Sequence, residues 1–258
     1  MAPLSDVHIV YRVTRHLADQ QLSADRACLS TDEEARAARF AFADDRRDFI
    51  AAHALLRHTL SAHAPRDPQA WTFSLGAHGK PVLVEASDER PALTFNLSHT
   101  RGLVACVVSR NVDVGIDVER TGQNADALEI ARERFSSKEV SALQQCDTTA
   151  RAARFVELWT LKEAYAKATG TGVLGGMTAC TFTFGPADSL CCEVPDSDRP
   201  DAWQFAVFEL LDYRLAVAVR DADERCASLS IRHAPEADSG KRNEVRLLRR
   251  STNVVVTD

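Results

Sequence analysis

A chain of 258 residues with 45% hydrophobic content can build one large domain or two small ones around a substantial core. A formal charge of -6 and a pI near 5.8 argue against a nucleic-acid-binding surface, while leaving room for a local basic pocket that holds a phosphorylated small molecule. Seven cysteines without a C-x-x-C pair suggest neither a disulfide framework nor a thiolate zinc site. No apolar run reaches about 18 residues and no signal-peptide pattern is present, so a cytoplasmic protein without a membrane span is expected.

Residues 8–15 alternate weakly and are rich in Val, Ile and Tyr, which predicts a first strand. Ser30 with Glu33 has the spacing of a capping box, and a helix is predicted over the following ten or so residues. Asp44 or Asp45 is the expected cap of a longer helix that Pro65 stops. Strands are predicted over residues 71–75, 81–85, 93–97 and 103–109, the last two joined by a short polar turn. This is an α+β half.

The second half repeats the order. Adding 106 to Ser30, Glu33, Phe49 and Ile50 gives Ser136, Glu139, Phe155 and Val156, and three strand-like runs again follow the long helix. The spacing predicts two similar α/β halves forming an intramolecular pseudo-dimer, with the active site in the cleft between them. The first half covers residues 1–112 and the second 113–234. Residues 235–258 mix charges without clear periodicity and read as a tail.

Residues 155–172, FVELWTLKEAYAKATGTG, draw the most attention. Phe155, Leu158, Leu161, Tyr165 and Ala168 form an apolar helical stripe, while Glu163 and Lys167 stand one turn apart on the other side, with Trp159 one turn before them. A Glu-Lys pair is often a solvated helix face; a neighbouring Trp and the glycines at 170 and 172 favour a ligand site. Between the halves runs VGIDVE, in which the strand period puts Asp117 and Glu119 on one face with their Cα atoms about 7 Å apart. An exposed edge strand would explain that pair equally well, but two converging carboxylates also suit magnesium, which takes oxygen ligands and keeps water and phosphate oxygens in its shell. Ser98 and His99 end a strand at a turn where both could donate hydrogen bonds to phosphate. Gly79-Lys80-Pro81 presents a single cation on a rigid turn. No Walker sequence, G-x-G-x-x-G, H-E-x-x-H or G-x-S-x-G is present.

Taken in order, G-K-P at residues 79–81, F-N-L-S-H at 95–99, G-I-D-V-E at 115–119, F-S-S-K-E at 135–139 and W-T-L-K-E-A-Y-A-K-A-T-G-T-G at 159–172 resemble the 4'-phosphopantetheinyl transferases of the larger, surfactin-synthetase-activating type. The resemblance spans roughly residues 30–220. It implies transfer of the phosphopantetheine arm of coenzyme A to a serine of an apo acyl or peptidyl carrier protein, with magnesium, releasing adenosine 3',5'-bisphosphate. Carried over residue by residue, it implies Asp117, Glu119 and Glu163 as magnesium ligands and Lys162 and Lys167 near the diphosphate. Ser98 and His99 would bind phosphates and Lys80 would lie towards the adenosine. For the 3'-phosphate the nearest candidates are Arg36 and Arg47, although Asp48 stands where a basic residue is expected. Glu163 is also the candidate general base and Lys167 the group that stabilises the departing bisphosphate, so two roles compete for Glu163. After G-T-G, residues 173–176 depart from the bulkier apolar loop of relatives.

The carrier is expected to dock along residues 120–134, read as polar and loop-like, with Arg120, Arg132 and Arg134 meeting its acidic surface. A monomer that uses neither nucleic acid nor membrane is expected. Two other classes fit part of the pattern. A magnesium-dependent hydrolase of coenzyme A-like nucleotides would use water in place of serine, and a non-catalytic coenzyme A or carrier-binding protein would be expected to have lost Asp117, Glu163 or Lys167; all three are present.

Overall fold

In the computed structural model, residues 5–76, 79–84, 92–122, 126–172, 177–195, 198–234 and 243–257 are described. Alternating apolar residues lay down β1 (Ser5–Val13), with Val7, Ile9 and Tyr11 facing one core and Val10 another. Three helices follow: α1 (Asp19–Ala27), α2 (Thr31–Ala37) and α3 (Ala43–His63). Ser30 caps α2 reciprocally with Glu33, each side chain accepting from the other's backbone N–H. The predicted Asp44 or Asp45 cap of α3 is not formed. The helix starts one position after Phe42, and both aspartates sit in its first turn, where they complement the helix dipole. Strands β2 (Phe73–Leu75), β3 (Pro81–Leu83), β4 (Leu93–Thr100) and β5 (Leu103–Arg110) complete the series.

The series then recurs as β6 (Asp113–Arg120), α4 (Ala127–Arg134), α5 (Ser137–Gln144), α6 (Thr148–Thr169), β7 (Thr181–Phe184), β8 (Leu190–Glu193), β9 (Trp203–Leu210) and β10 (Tyr213–Arg220). Ser136 and Glu139 close the same capping box on α5 as Ser30 and Glu33 do on α2. Strand order recurs too: β1-β5-β4 in one sheet and β6-β10-β9 in the other, all antiparallel. The two sheets share a central core that includes Ile9, Tyr11, Ile116, Leu215 and Val217. Helix α3 covers the outer face of the first sheet and α6 that of the second. The fold is α+β.

Two further sequence expectations fail. Residues 127–134, expected to be loop, form α4; the helix has only Ala127 and Ala131 buried, too few apolar positions to declare itself. Residues 245–257, expected to be tail, form β12 (Val245–Arg250) and β13 (Val254–Thr257). The charged residues that hid β12 are paired: Arg246 bonds Glu209 and Arg249 bonds Glu157, both at 2.9 Å. Strand β12 extends the second sheet beside β9. Strands β11 (Ala227–His233) and β13 return to the first, parallel to β1 and to each other, so the chain does not keep its second half within one sheet. The 173–176 loop and the 235–242 part of the expected tail lie outside the described residues. Among the described residues no helix is long and apolar enough to cross a membrane.

Candidate active site

The site forms where the edge strand of each sheet meets. β4 and β6 run side by side, yet they are stitched by side chains: Asn96 Oδ1 accepts from Ile116 N at 3.0 Å, and Ser98 Oγ accepts from Val118 N at 3.3 Å. The two-residue period of both strands explains why N-x-S faces G-I-D-V-E. On the other side, α6 lies directly on β6. A Cβ added at Gly115 would stand 2.0 Å from Ala164 O and 2.5 Å from Ala168 N, so only glycine permits this approach. That contact brings Glu163 and Lys167, which flank Ala164 and Ala168, up to the carboxylates of β6.

Asp117 is buried. Its Oδ1 accepts from Lys167 Nζ at 2.6 Å and from Ser98 Oγ at 2.9 Å, while Lys167 also donates to Ser98 Oγ at 3.0 Å. Its Oδ2 is buried without any hydrogen-bond partner, a costly condition for an ionised oxygen. Burial, with the charges of Asp117 and Glu163, pushes the Glu119 carboxyl up to about 7 against the opposing pull of Lys167 and the Trp159 indole N–H. Glu163 is raised by burial and by Asp117, again opposed by Lys167. Three carboxylates therefore share the field of one lysine, and the chemistry of this set calls for a further cation. Among the described residues no three ligand side chains already stand together as a metal shell. The orphaned Asp117 oxygen together with Glu119 is nevertheless enough for magnesium, which typically uses only one or two carboxylates.

Not every expected residue faces this centre. Lys162 does not approach a diphosphate: it is fully buried and donates to Met177 O at 2.7 Å, Cys180 O at 2.6 Å and Glu139 Oε2 at 3.0 Å. All three of its protons are engaged, and it pins α6 to α5 and to the 177–180 turn. Arg47 is held by Asp44 and lies near Asp48, which is itself buried and accepts from Thr14 Oγ1 and Gly102 N. Asp48 thus secures the β4-β5 turn, and Arg47 does not line the cavities described below. Ser98 is buried within the Asp117-Lys167 contact, its hydroxyl donating to Asp117 and accepting from Lys167.

Lys80 reaches the last turn of α6, donating to Ala168 O at 3.1 Å; burial lowers its pKa. With Glu163, Lys167, Gly170 and Gly172 it lines a cavity of about 200 Å³. That cavity shares Pro81, Asn96 and Leu97 with a second of about 590 Å³, lined also by Arg36, Phe49, His53 and His99, so the two form one groove. His99 stands exposed on the groove wall. Desolvation of its ring lowers its pKa, opposed by the charge of Asp48 and reinforced by that of Lys167. At the α4 end, Arg132 and Arg134 occupy the last helical turn, and Arg120 bonds Asp212 at 2.6 Å.

Sequence reasoning did not single out Asn96 or His53, nor the buried roles of Glu33 and Glu139. The position of Asn96 two residues before Ser98 was the available signal, because the strand period puts both on one face.

A profile of the 4'-phosphopantetheinyl transferase superfamily matches residues 113–218, and one described as 4'-phosphopantetheinyl transferase, N-terminal, matches residues 17–111. The 4'-phosphopantetheinyl transferase HetI of Nostoc sp. is 36% identical over 170 residues, covering 66% of this chain and 71% of its own. A Synechocystis sp. protein that carries the same transferase name is 31% identical over 188 residues, covering 72% and 74%. The transferase psf-1 of Bacillus pumilus is 29% identical over 203 residues, covering 79% and 84%. The chain belongs to the 4'-phosphopantetheinyl transferase superfamily.

Proposed function

We propose that the chain transfers the 4'-phosphopantetheine arm of coenzyme A to a serine of an apo acyl or peptidyl carrier protein, at the seam between β4, β6 and α6. The observation that carries the reading is the contact of Lys167 with Asp117 and Ser98, which joins both halves beside Glu163. We read the recurring element order as an intramolecular pseudo-dimer that works as a monomer. Seven free cysteines support a reducing, cytoplasmic setting.

Asp117 and Glu119 would hold magnesium, supported by the partnerless Asp117 oxygen and by the mutual repulsion of the carboxylates. When bound, the ion supplies charge neutralisation around the diphosphate. Glu163 faces the smaller cavity, and its raised pKa suits a base; we assign it the proton of the carrier serine in preference to a metal-ligand role. The serine oxygen forms a bond to the β-phosphorus, the bond to the bridging oxygen breaks, and the electron pair leaves on adenosine 3',5'-bisphosphate. Lys167 lies one turn along from Glu163 and stabilises the charge that accumulates on the leaving group. Ser98 positions Lys167 and Asp117. Lys80 and His99 line the groove that takes the nucleotide, and the exposed Arg132 on α4 offers a contact for an acidic carrier.

Intact mass of apo-carriers after incubation with coenzyme A and magnesium tests the reading. A gain of one phosphopantetheine per carrier is expected. Rapid release of the bisphosphate without carrier, and no mass gain with it, would instead indicate hydrolysis.

A further inference from the structure

A separate cavity of about 620 Å³ lies on the other side of Lys80 from the groove, within the range of about 300–1,000 Å³ typical of small-molecule sites. It shares Lys80, Pro81 and Gly170 with the smaller cavity of the groove but uses other faces of the same elements. On α6 it is lined by Tyr165, Ala168 and Thr169, whereas Glu163, Ala166 and Lys167 line the groove. On β4, Thr94 and Phe95 take the place of Asn96 and Leu97. Apart from Lys80, no described residue given a part in the transfer reaches this cavity.

Its described walls are mainly apolar: Val82 and Leu83 from β3, Leu93 and Phe95 from β4, Val114 from β6, and the Tyr165 ring. Four described side chains that line it are charged, and their charges cancel. Arg220 lies 3.6 Å from Asp113 and 3.2 Å from Asp198, while Lys80 feels a weaker attraction from Asp113. An ionic ligand would therefore bring an unmatched charge into a partly buried space. What remains unused is hydrogen-bonding capacity. Lys80 has three N–H donors and spends one on Ala168 O; among the described residues no other acceptor meets the ammonium. Burial pushes the Tyr165 phenol above its ordinary pKa, so its O–H is retained, and no hydrogen bond engages it among the described residues.

We propose that this cavity binds a neutral, mainly apolar small molecule carrying a carbonyl oxygen, which accepts from Lys80 and, through that shared lysine, weakens coenzyme A binding in the groove. The site is independent of the transferase reading, and only its coupling to coenzyme A rests on that reading. Lys80 stands between the two spaces, its stem so close to Gly170 that an added Cβ there would lie 3.7 Å from Lys80 Cδ. A carbonyl on the cavity side draws the ammonium away from the groove, so each ligand lowers the affinity of the other by the same factor.

Calorimetry on the full chain, without carrier, tests the site with δ-decalactone, a neutral carbonyl compound, against decanoate and decylamine as anionic and cationic counterparts. The lactone is expected to bind at least about 10-fold tighter than either ion. Saturating lactone should raise the Kd for coenzyme A at least about 5-fold, and coenzyme A should raise that of the lactone equally. Leu83→Trp and Leu93→Trp fill the cavity from two walls; each should lower lactone affinity at least about 10-fold and leave coenzyme A affinity unchanged. Retention of lactone affinity in both folded variants overturns the site, as does a wild type that binds none of the three compounds. Tighter binding of decanoate or decylamine overturns the neutral class, a result read from the wild type that stands even if neither variant folds. Lactone binding that leaves coenzyme A affinity untouched overturns the coupling through Lys80. Failure of carrier modification alongside selective lactone binding would sink the proposed reaction and leave the second site standing.

Discussion

At the residue scale, the centre is a lysine shared among carboxylates that would repel one another without it. Glu163→Gln and Lys167→Ala should each leave circular dichroism and melting close to wild type while lowering turnover at least about 100-fold, the range of a lost base or charge-stabilising group. Near-normal turnover in either would remove its role. Lys162, the neighbour of Glu163, should behave oppositely. Lys162→Met leaves Glu139 buried without its cation, so denaturant melts should show a loss of about 3–5 kcal/mol while the folded fraction keeps its KM for coenzyme A. These adjacent residues show where the sequence is legible and where it is not. Glu163 and Lys167 can be placed on one side of α6 by counting, but the surroundings of Lys162 are carbonyls at 177 and 180 and a glutamate at 139, distant in the chain. A lysine among motif residues resembles a phosphate ligand until those partners are located.

At the element scale, the close packing of α6 on β6 is the positioning device. Gly115→Ala should push α6 off the strand, costing about 1–3 kcal/mol as overpacking does, and lowering turnover more than stability alone explains. A variant with wild-type turnover and stability would show that the approach is not needed. The α2 capping box has an acid-sensitive counterpart. Glu33 has a folded-state pKa of about 2 against an ordinary 4.5. Its contribution to stability is thus fully present above about 4.5 and is lost as pH falls from there through about 2. Urea midpoints across that window should fall more steeply for the wild type than for Glu33→Gln; parallel curves would contradict the linkage. The long helices and strands β1, β4, β5, β6, β9 and β10 were legible from periodicity because each buries a continuous stripe. The short α4 and the arginine-rich β12 were not, since few apolar positions mark α4 and the arginines of β12 pair with Glu209 on β9 and Glu157 on α6.

At the scale of the whole molecule, the recurring order of strands and helices was visible in a 106-residue offset between two capping boxes, and both boxes form. What the offset could not show is that the chain's last strands return to both sheets, because parallel pairing of β11 with β1 and of β13 with β11 joins residues more than 20 positions apart with no local turn to announce it. The recurring order matters because the edge strands β4 and β6 lie side by side, and the proposed chemistry occupies that seam. Carrier modification under single-turnover conditions, read by intact mass for the wild type and for folded Asp117→Asn, is the most direct test. Conversion of carrier by the wild type and a rate at least about 100-fold lower for the variant are expected. Equal rates, or a folded wild type that modifies no carrier, would contradict the account.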